Sequence, residues 1–304
     1  MNKKLAYGYI VTAAFLWGII GLFVTRLYGL GLTPIQVVAL RALSASFLLI
    51  TYALFQKRDS LKIRPSDSKY FVGTGVFSFA LFNWCLFSAI GQTTLSVAPV
   101  LLYTAPAFVT ILSRLFLKEV LTLRKVSALA VTVAGCALVA GLVPGTGAIV
   151  SPEGLALGVG AGFFYALYSI FAKFALQKYQ AYTVTLYTFL FAALAVAPFS
   201  TLPAVVPVLL QPQTWLYLFG LGFLSTLLAF LLYTKGLSRV APGQAAIIAT
   251  LEPVIASLVS LLLFKEQLNG WQYTGILLVI SAVFLVQERS GTKTGQKCSP
   301  SPGR

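Results

Sequence analysis

Ten apolar runs follow one another through this chain, separated by short polar breaks, at about 5–27, 34–55, 70–90, 96–117, 124–142, 154–176, 182–199, 215–234, 243–264 and 271–287. A run that is apolar on every side keeps no face for water. About 20 such residues, rising about 1.5 Å each, match the ~30 Å hydrocarbon core of a bilayer. In lipid every backbone N–H and C=O must be paired within the chain, so only helices or closed barrels span it. Barrel strands alternate apolar and polar residues over about ten positions, and these runs do not. Composition agrees: the chain is 58% hydrophobic and 10% charged, against about 25% charged in a soluble domain. The sequence predicts an all-α polytopic membrane protein with ten transmembrane helices.

The net charge of +15 would suit a nucleic-acid binder if the basic residues formed a patch. They sort by loop instead. With the N-terminus inside and all ten runs spanning, 19 of the 22 Lys and Arg fall on the cytoplasmic side. Only Arg26 and Lys265 fall outside, and Arg41 lies within the second run. This is the positive-inside asymmetry. It predicts a multi-pass protein of the cell inner (plasma) membrane with both termini cytoplasmic, and no nucleic-acid partner. The basic, apolar start resembles a signal peptide, but its run is long and no small-x-small site follows, so it reads as a retained first helix. The tail 289–304 is polar and reads as a disordered cytoplasmic segment.

Enzyme chemistry finds little support. The chain has no histidine, which removes His-based metal sites, Ser-His-Asp triads and imidazole relays. Cys85, Cys136 and Cys298 lack the paired spacing of a zinc site or a disulfide framework. No Walker-type loop is present. No metal or cofactor is expected.

The chain also repeats itself. "YTAPAFVTILSRLFLKE" from Tyr103 matches "TLEPVIASLVSLLLFKE" from Thr250 at an offset of 147. Pro106 falls on Pro253, Lys118 on Lys265 and Glu119 on Glu266. "FLWGIIGLF" from Phe15 pairs more weakly with "FFYALYSIF" from Phe163. Each half holds five runs. Five is odd, so the second half enters the membrane from the opposite side. This predicts two inverted five-helix repeats, an arrangement that places substrates at the repeat interface near the midplane.

The "LWG" of the first run, the "AP" and "EP" of the fourth and ninth, and the "LFLKE" and "LLLFKE" closing them resemble the drug/metabolite transporter superfamily and, within it, the EamA family. The resemblance extends to about residue 288. It implies two EamA-type repeats, 1–147 and 148–288, around a central cavity walled by both. It further implies an exporter of amino acids, related metabolites or toxic compounds, and leaves the substrate open.

Glu252 is the most informative candidate. It lies about ten residues into the ninth run, roughly 15 Å deep, where a charge costs at least ~2.5–3.5 kcal/mol. It should therefore face the cavity. Three roles are open: binding a cationic group such as an ammonium, carrying a coupling proton, or bonding between helices. Its repeat mate is Ala105, so the site is chemically one-sided. Pro106 and Pro253 each remove one helical hydrogen bond and free a carbonyl one turn earlier, as kinks, hinges or backbone ligands. Arg41 can snorkel outward, attract a carboxylate or pair with Glu252.

Trp17, Trp84, Tyr103, Tyr165, Tyr168 and Tyr233 are the candidate aromatic lining, with Asn83 as a buried amide and Thr250 beside the acid. Tyr165 and Tyr168 share a helix face, and Trp17 and Tyr165 are repeat mates. Such rings suit flat or cationic ligands. Glu119 and Glu266, each beside a lysine, close the fourth and ninth runs and read as local ion pairs or helix-end packing in preference to substrate contacts. Gly154, Gly158 and Gly162 read as a close-packing stripe within the protomer.

The reading is a secondary transporter exporting a small polar or zwitterionic metabolite by alternating access, driven by a proton gradient or by the substrate gradient alone. Import or exchange is the alternative within transport; a membrane enzyme or scaffold is the alternative outside it. The expected partners are the small-molecule substrate and the lipid bilayer. The sequence leaves monomer and homodimer open.

Overall fold

The computed structural model describes residues 2–92, 97–140, 151–263, 265 and 268–286. Every regular element among them is helical. Seven helices are long and apolar enough to cross a membrane: α1 (Lys3–Gly29), α2 (Pro34–Gln56), α3 (Pro65–Gln92), α6 (Pro152–Ala175), α7 (Ala181–Phe199), α8 (Pro212–Leu237) and α9 (Pro242–Leu263). Three shorter helices complete the set: α4 (Ala105–Leu117), α5 (Leu123–Val139) and α10 (Gly270–Val286). The protein is an all-helical, multi-span membrane protein. The tail from 287 on, with Cys298, and Glu266 in the second "KE" lie outside the described residues.

Helix starts follow capping chemistry. Pro34 and Pro152 occupy the first helical position of α2 and α6, where the missing N–H costs nothing. The Gln36 carboxamide accepts from Thr33 N–H at 2.9 Å. The Ser151 hydroxyl accepts from Gly154 N–H at 3.0 Å. The Thr122 hydroxyl does the same for Lys125 N–H at 3.3 Å, opening α5. One break in the sequence is structured: 202–209 forms short helical turns, and Val205 packs with Leu27, Leu32, Leu218 and Leu221 over one end of α1 and α8.

The repeat is written into the backbone. The fourth run divides into Val97–Leu102 and α4, and α9 divides into Pro242–Ala249 and Leu251–Leu263. Leu102 and Ala249, the last residues before each break, are 147 apart. Wider π-helical turns interrupt α3 at Gly73–Ala80 and α8 at Gly220–Leu228, again with an offset of 147 between their starts. Lys118 and Lys265 leave their helices with φ of 54° and 56°, a left-handed conformation that costs a non-glycine residue about 1–2 kcal/mol. They too are 147 apart.

Packing between the halves is reciprocal. α1 lies against α8, and α6 lies against α3. A Cβ on Gly73 would overlap the Phe171 ring of α6, and one on Gly220 would overlap the Phe23 ring of α1. Small residues at such points let helices approach closely. On α6, Gly158 faces Leu101, while Gly162 faces Leu102 and Thr104, so this stripe packs inside the protomer. A polar tie crosses this interface, with the Thr74 and Thr188 hydroxyls 2.6 Å apart; two more join α6 to α8 within the second half, Tyr168 to Thr234 at 2.6 Å and Ser169 to Tyr233 at 2.8 Å. Within a membrane such bonds contribute about 0.6 kcal/mol each on average.

Candidate functional site

The break in α9 begins with Pro253, which has no N–H to give Ala249 C=O. The chain closes the loose end locally. The Thr250 hydroxyl donates to Ile247 C=O at 2.6 Å, and Thr250 N–H donates to the same oxygen at 3.3 Å. The other break is closed in the same manner, with the Thr104 hydroxyl donating to Leu101 C=O at 2.7 Å. Glu252 thereby falls in the first turn of a new helical segment. The N-terminal end of a helix carries partial positive charge and favours a carboxylate. The kink therefore creates a place for an acid in the middle of an apolar helix.

α1 passes directly over this point. A Cβ on Gly18 would lie 2.9 Å from Glu252 C=O and 2.6 Å from the Ile255 side chain. Next to Gly18 is Trp17, 5% exposed, its ring 5.1 Å from Phe230 and 5.2 Å from Tyr233. The Trp17 Nε1–H has no acceptor among the described residues. A buried donor without a partner costs about 1–3 kcal/mol, a cost that a ligand acceptor would remove.

Three cavities meet around these residues. The largest, about 360 Å³, is lined by Trp17, Thr25, Tyr103, Glu252, Val259 and Ser260. A second, about 20 Å³, is bounded by Tyr103, Pro106, Tyr165, Thr250 and Glu252. A third, also about 20 Å³, is bounded by Trp17, Phe79, Tyr165, Tyr168 and Tyr233. Trp17, Tyr103, Tyr165 and Glu252 each belong to two of the three. Eight sequence candidates are thus gathered in one place: Trp17, Tyr103, Pro106, Tyr165, Tyr168, Tyr233, Thr250 and Glu252. Pro253 is buried beside them.

Arg41 points inward. Its Nε donates to the Thr226 hydroxyl at 3.1 Å, and its guanidinium sits 5.2 Å from the Phe79 ring centroid. Phe79 and Thr226 are 147 apart, so one side chain engages the same position of both halves. Arg41 lines none of the three cavities; it stands behind Phe79, which forms part of the central wall.

Asn83 and Trp84 lie elsewhere. The Asn83 amide donates to Phe79 C=O of its own helix at 2.7 Å, and Trp84 is 59% exposed. Both line a lateral cavity of about 940 Å³ bounded by Pro34, Val38, Val196 and Phe199, between α2, α3 and α7. It is roomier than the central cavities and carries no charged side chain. Sequence reasoning missed Phe79, Phe230 and Ser169, which complete the central wall, and Thr226, which holds Arg41. Applying the 147 offset to the surroundings of Arg41 is the signal that pairs Phe79 with Thr226. Lys173, counted as a loop charge, ends α6 by donating to Leu237 C=O at 2.6 Å and Val240 C=O at 3.0 Å.

Known proteins resemble this chain in sequence and fold. A family model described as the EamA-like transporter family matches residues 4–141 and 152–287. An uncharacterized transporter of Archaeoglobus fulgidus is 28% identical over 276 residues, covering 91% of this chain and 94% of that protein. The uncharacterized transporter YwfM of Bacillus subtilis is 23% identical over 282 residues, covering 91% and 92%. A solved crystal structure shares the fold at 20% identity, with a TM-score of 0.75 over 93% of this chain and 96% of its own.

Proposed function

This chain belongs to the EamA-like transporter family and is a membrane transporter; on that premise we propose that it exports a small zwitterionic metabolite by alternating access. All ten helices span the plasma membrane as two inverted five-helix repeats, 1–147 and 148–288, with both termini cytoplasmic. The carrying observation is the convergence of the cavities on Glu252 at the break in α9. A substrate ammonium meets the Glu252 carboxylate there. The substrate carboxylate meets the Trp17 Nε1–H and the positive field of Arg41. Tyr103 and Tyr165 close over the ligand from α4 and α6. When substrate leaves, Glu252 takes a proton in its place, which couples the two fluxes.

The support is chemical. A lone carboxylate at membrane depth is costly and marks ion or substrate pathways. An unused buried donor at Trp17, with the Arg41 guanidinium behind the Phe79 wall, complements the other end of a zwitterion. Uptake into inverted vesicles tests the reading, using an amino-acid panel, an imposed proton gradient, and wild type against Glu252→Gln. Gradient-driven uptake by wild type, lost in the variant, is the expected result. Uptake by the variant at the wild-type rate overturns the role of Glu252.

A further inference from the structure

Away from the central site, a buried ion pair of the first half accepts a hydrogen bond from the second. Glu119 follows the end of α4, where Lys118 turns the chain in the left-handed conformation and Glu119 N–H returns to Ser113 C=O at 3.1 Å. The Glu119 side chain is 7% exposed and its partner Lys125, on α5, is 13% exposed. Lys125 Nζ donates to Glu119 Oε1 at 3.0 Å and to Val120 C=O at 2.9 Å. The other carboxylate oxygen, Oε2, accepts from Gly243 N–H at 3.3 Å. Gly243 is the second residue of α9. Its N–H is one of the four at a helix start with no partner inside the helix, and that end attracts negative charge. A first-half carboxylate therefore holds the start of the second-half helix that carries Glu252.

Two further facts give this contact a direction. The first is where the space lies. The cavity of about 360 Å³ follows the later residues of α1 and α9, from Gly18 to Thr25 and from Glu252 to Ser260. It therefore runs away from Gly243. The end with Gly243 is filled: Gln244 donates to Val286 C=O at 3.3 Å, and the Tyr7 hydroxyl lies 3.5 Å from Gln244 Oε1. The second fact is the repeat. At the offset of 147, Lys125 falls on Gln272, whose amide donates to Val139 C=O at 3.3 Å. The opposite end of the molecule has a neutral side chain in the register of the lysine.

We propose that Glu119, held by Lys125, is a one-sided latch that keeps the α4–α9 end of the transporter closed and biases the resting protein toward access from the other end. The inference rests on the transport reading for its meaning, but its test needs no substrate. Opening the closed end moves the start of α9 away from α4, and Gly243 N–H must leave the carboxylate. Breaking the contact shifts the population toward the oppositely open form.

Accessibility measures this directly. The background is full-length protein in membranes, with Cys85, Cys136 and Cys298 replaced by serine. Two reporters are compared: Ala246→Cys, on the wall between Gly243 and Glu252, and Val259→Cys, on the cavity of about 360 Å³. A membrane-impermeant maleimide is applied to intact cells and to inverted vesicles. In the Glu119→Gln background, labelling at 246 from the latched side rises about tenfold while labelling at 259 from the opposite side falls, as expected for a coupling of this class. Lys125→Gln, which leaves the carboxylate on Gly243, gives the same directions with a smaller change. Equal rates in all three proteins overturn the latch, and so does a rise at both reporters together, which marks loosening of the fold. A failed uptake assay with reciprocal labelling rejects the proposed substrate and leaves the latch standing.

Discussion

The two broken helices of this protein have the same backbone and opposite contents. Each stops at residues 147 apart, resumes around a proline, and is closed by a threonine hydroxyl three residues after its acceptor. Yet the position that holds Ala105 in the fourth run holds Glu252 in the ninth. The scaffold is symmetric because the same packing problem is solved twice. The chemistry is asymmetric because one charge at this depth already costs several kcal/mol, and a second acid nearby would add repulsion. Duplication supplied two sites of equal shape, and only one carries the acid.

That contrast can be attacked from both sides. Ala105→Glu places an acid in the empty break and is expected to destabilise the protein by about 2.5–3.5 kcal/mol, read as a fall in melting temperature in detergent. Glu252→Gln empties the occupied break. It is expected to lower gradient-driven uptake about 10–100-fold, the range for losing a charged hydrogen bond, with folding retained. Gly18→Val and Gly162→Val test whether the approach of α1 to α9 equals that of α6 to α4. Each is expected to cost about 1–3 kcal/mol by overpacking, and unequal melting temperatures would show that the breaks are held with different firmness. The smallest effect is reserved for Pro106→Ala and Pro253→Ala. Each restores one helical hydrogen bond, stabilising by about 1 kcal/mol. Transport should slow more for Pro253→Ala, whose kink carries the acid, and equal rates for the two would break the distinction.

Much of this was legible in the sequence, for identifiable reasons. Span positions follow from apolar length, which leaves few alternatives in lipid. The α9 site follows from an acid and a proline side by side in an apolar run. Which face each aromatic presents was less accessible, because helices apolar all round have no polar face to orient them. Asn83 and Trp84 show the consequence. Both follow the π-helical stretch Gly73–Ala80. A wider turn displaces the side chains that follow it around the axis, yet Tyr233, which follows the matching stretch in α8, lines the central wall, so position on a cavity-walling helix did not by itself separate the two outcomes. Tyr165 and Tyr168, three apart on α6, border the same small cavity, as a shared helix face requires. Arg41 was legible as a base within the second run, free to snorkel or to pair, but not by its partners, since Thr226 and Phe79 are distant in the chain and meet it only where the halves join.

The rings of Phe23 and Phe171 have a consequence for how the molecule is put together. Each half presents a knob and a socket, and neither fits its own half: Phe23 seats on Gly220, and Phe171 on Gly73. A polypeptide severed between residues 140 and 151 would leave two five-helix fragments with mating surfaces already shaped for each other. Synthesised separately in one cell, they should find one another and restore function, while either fragment alone would present an unfilled glycine notch and an unseated phenylalanine to lipid.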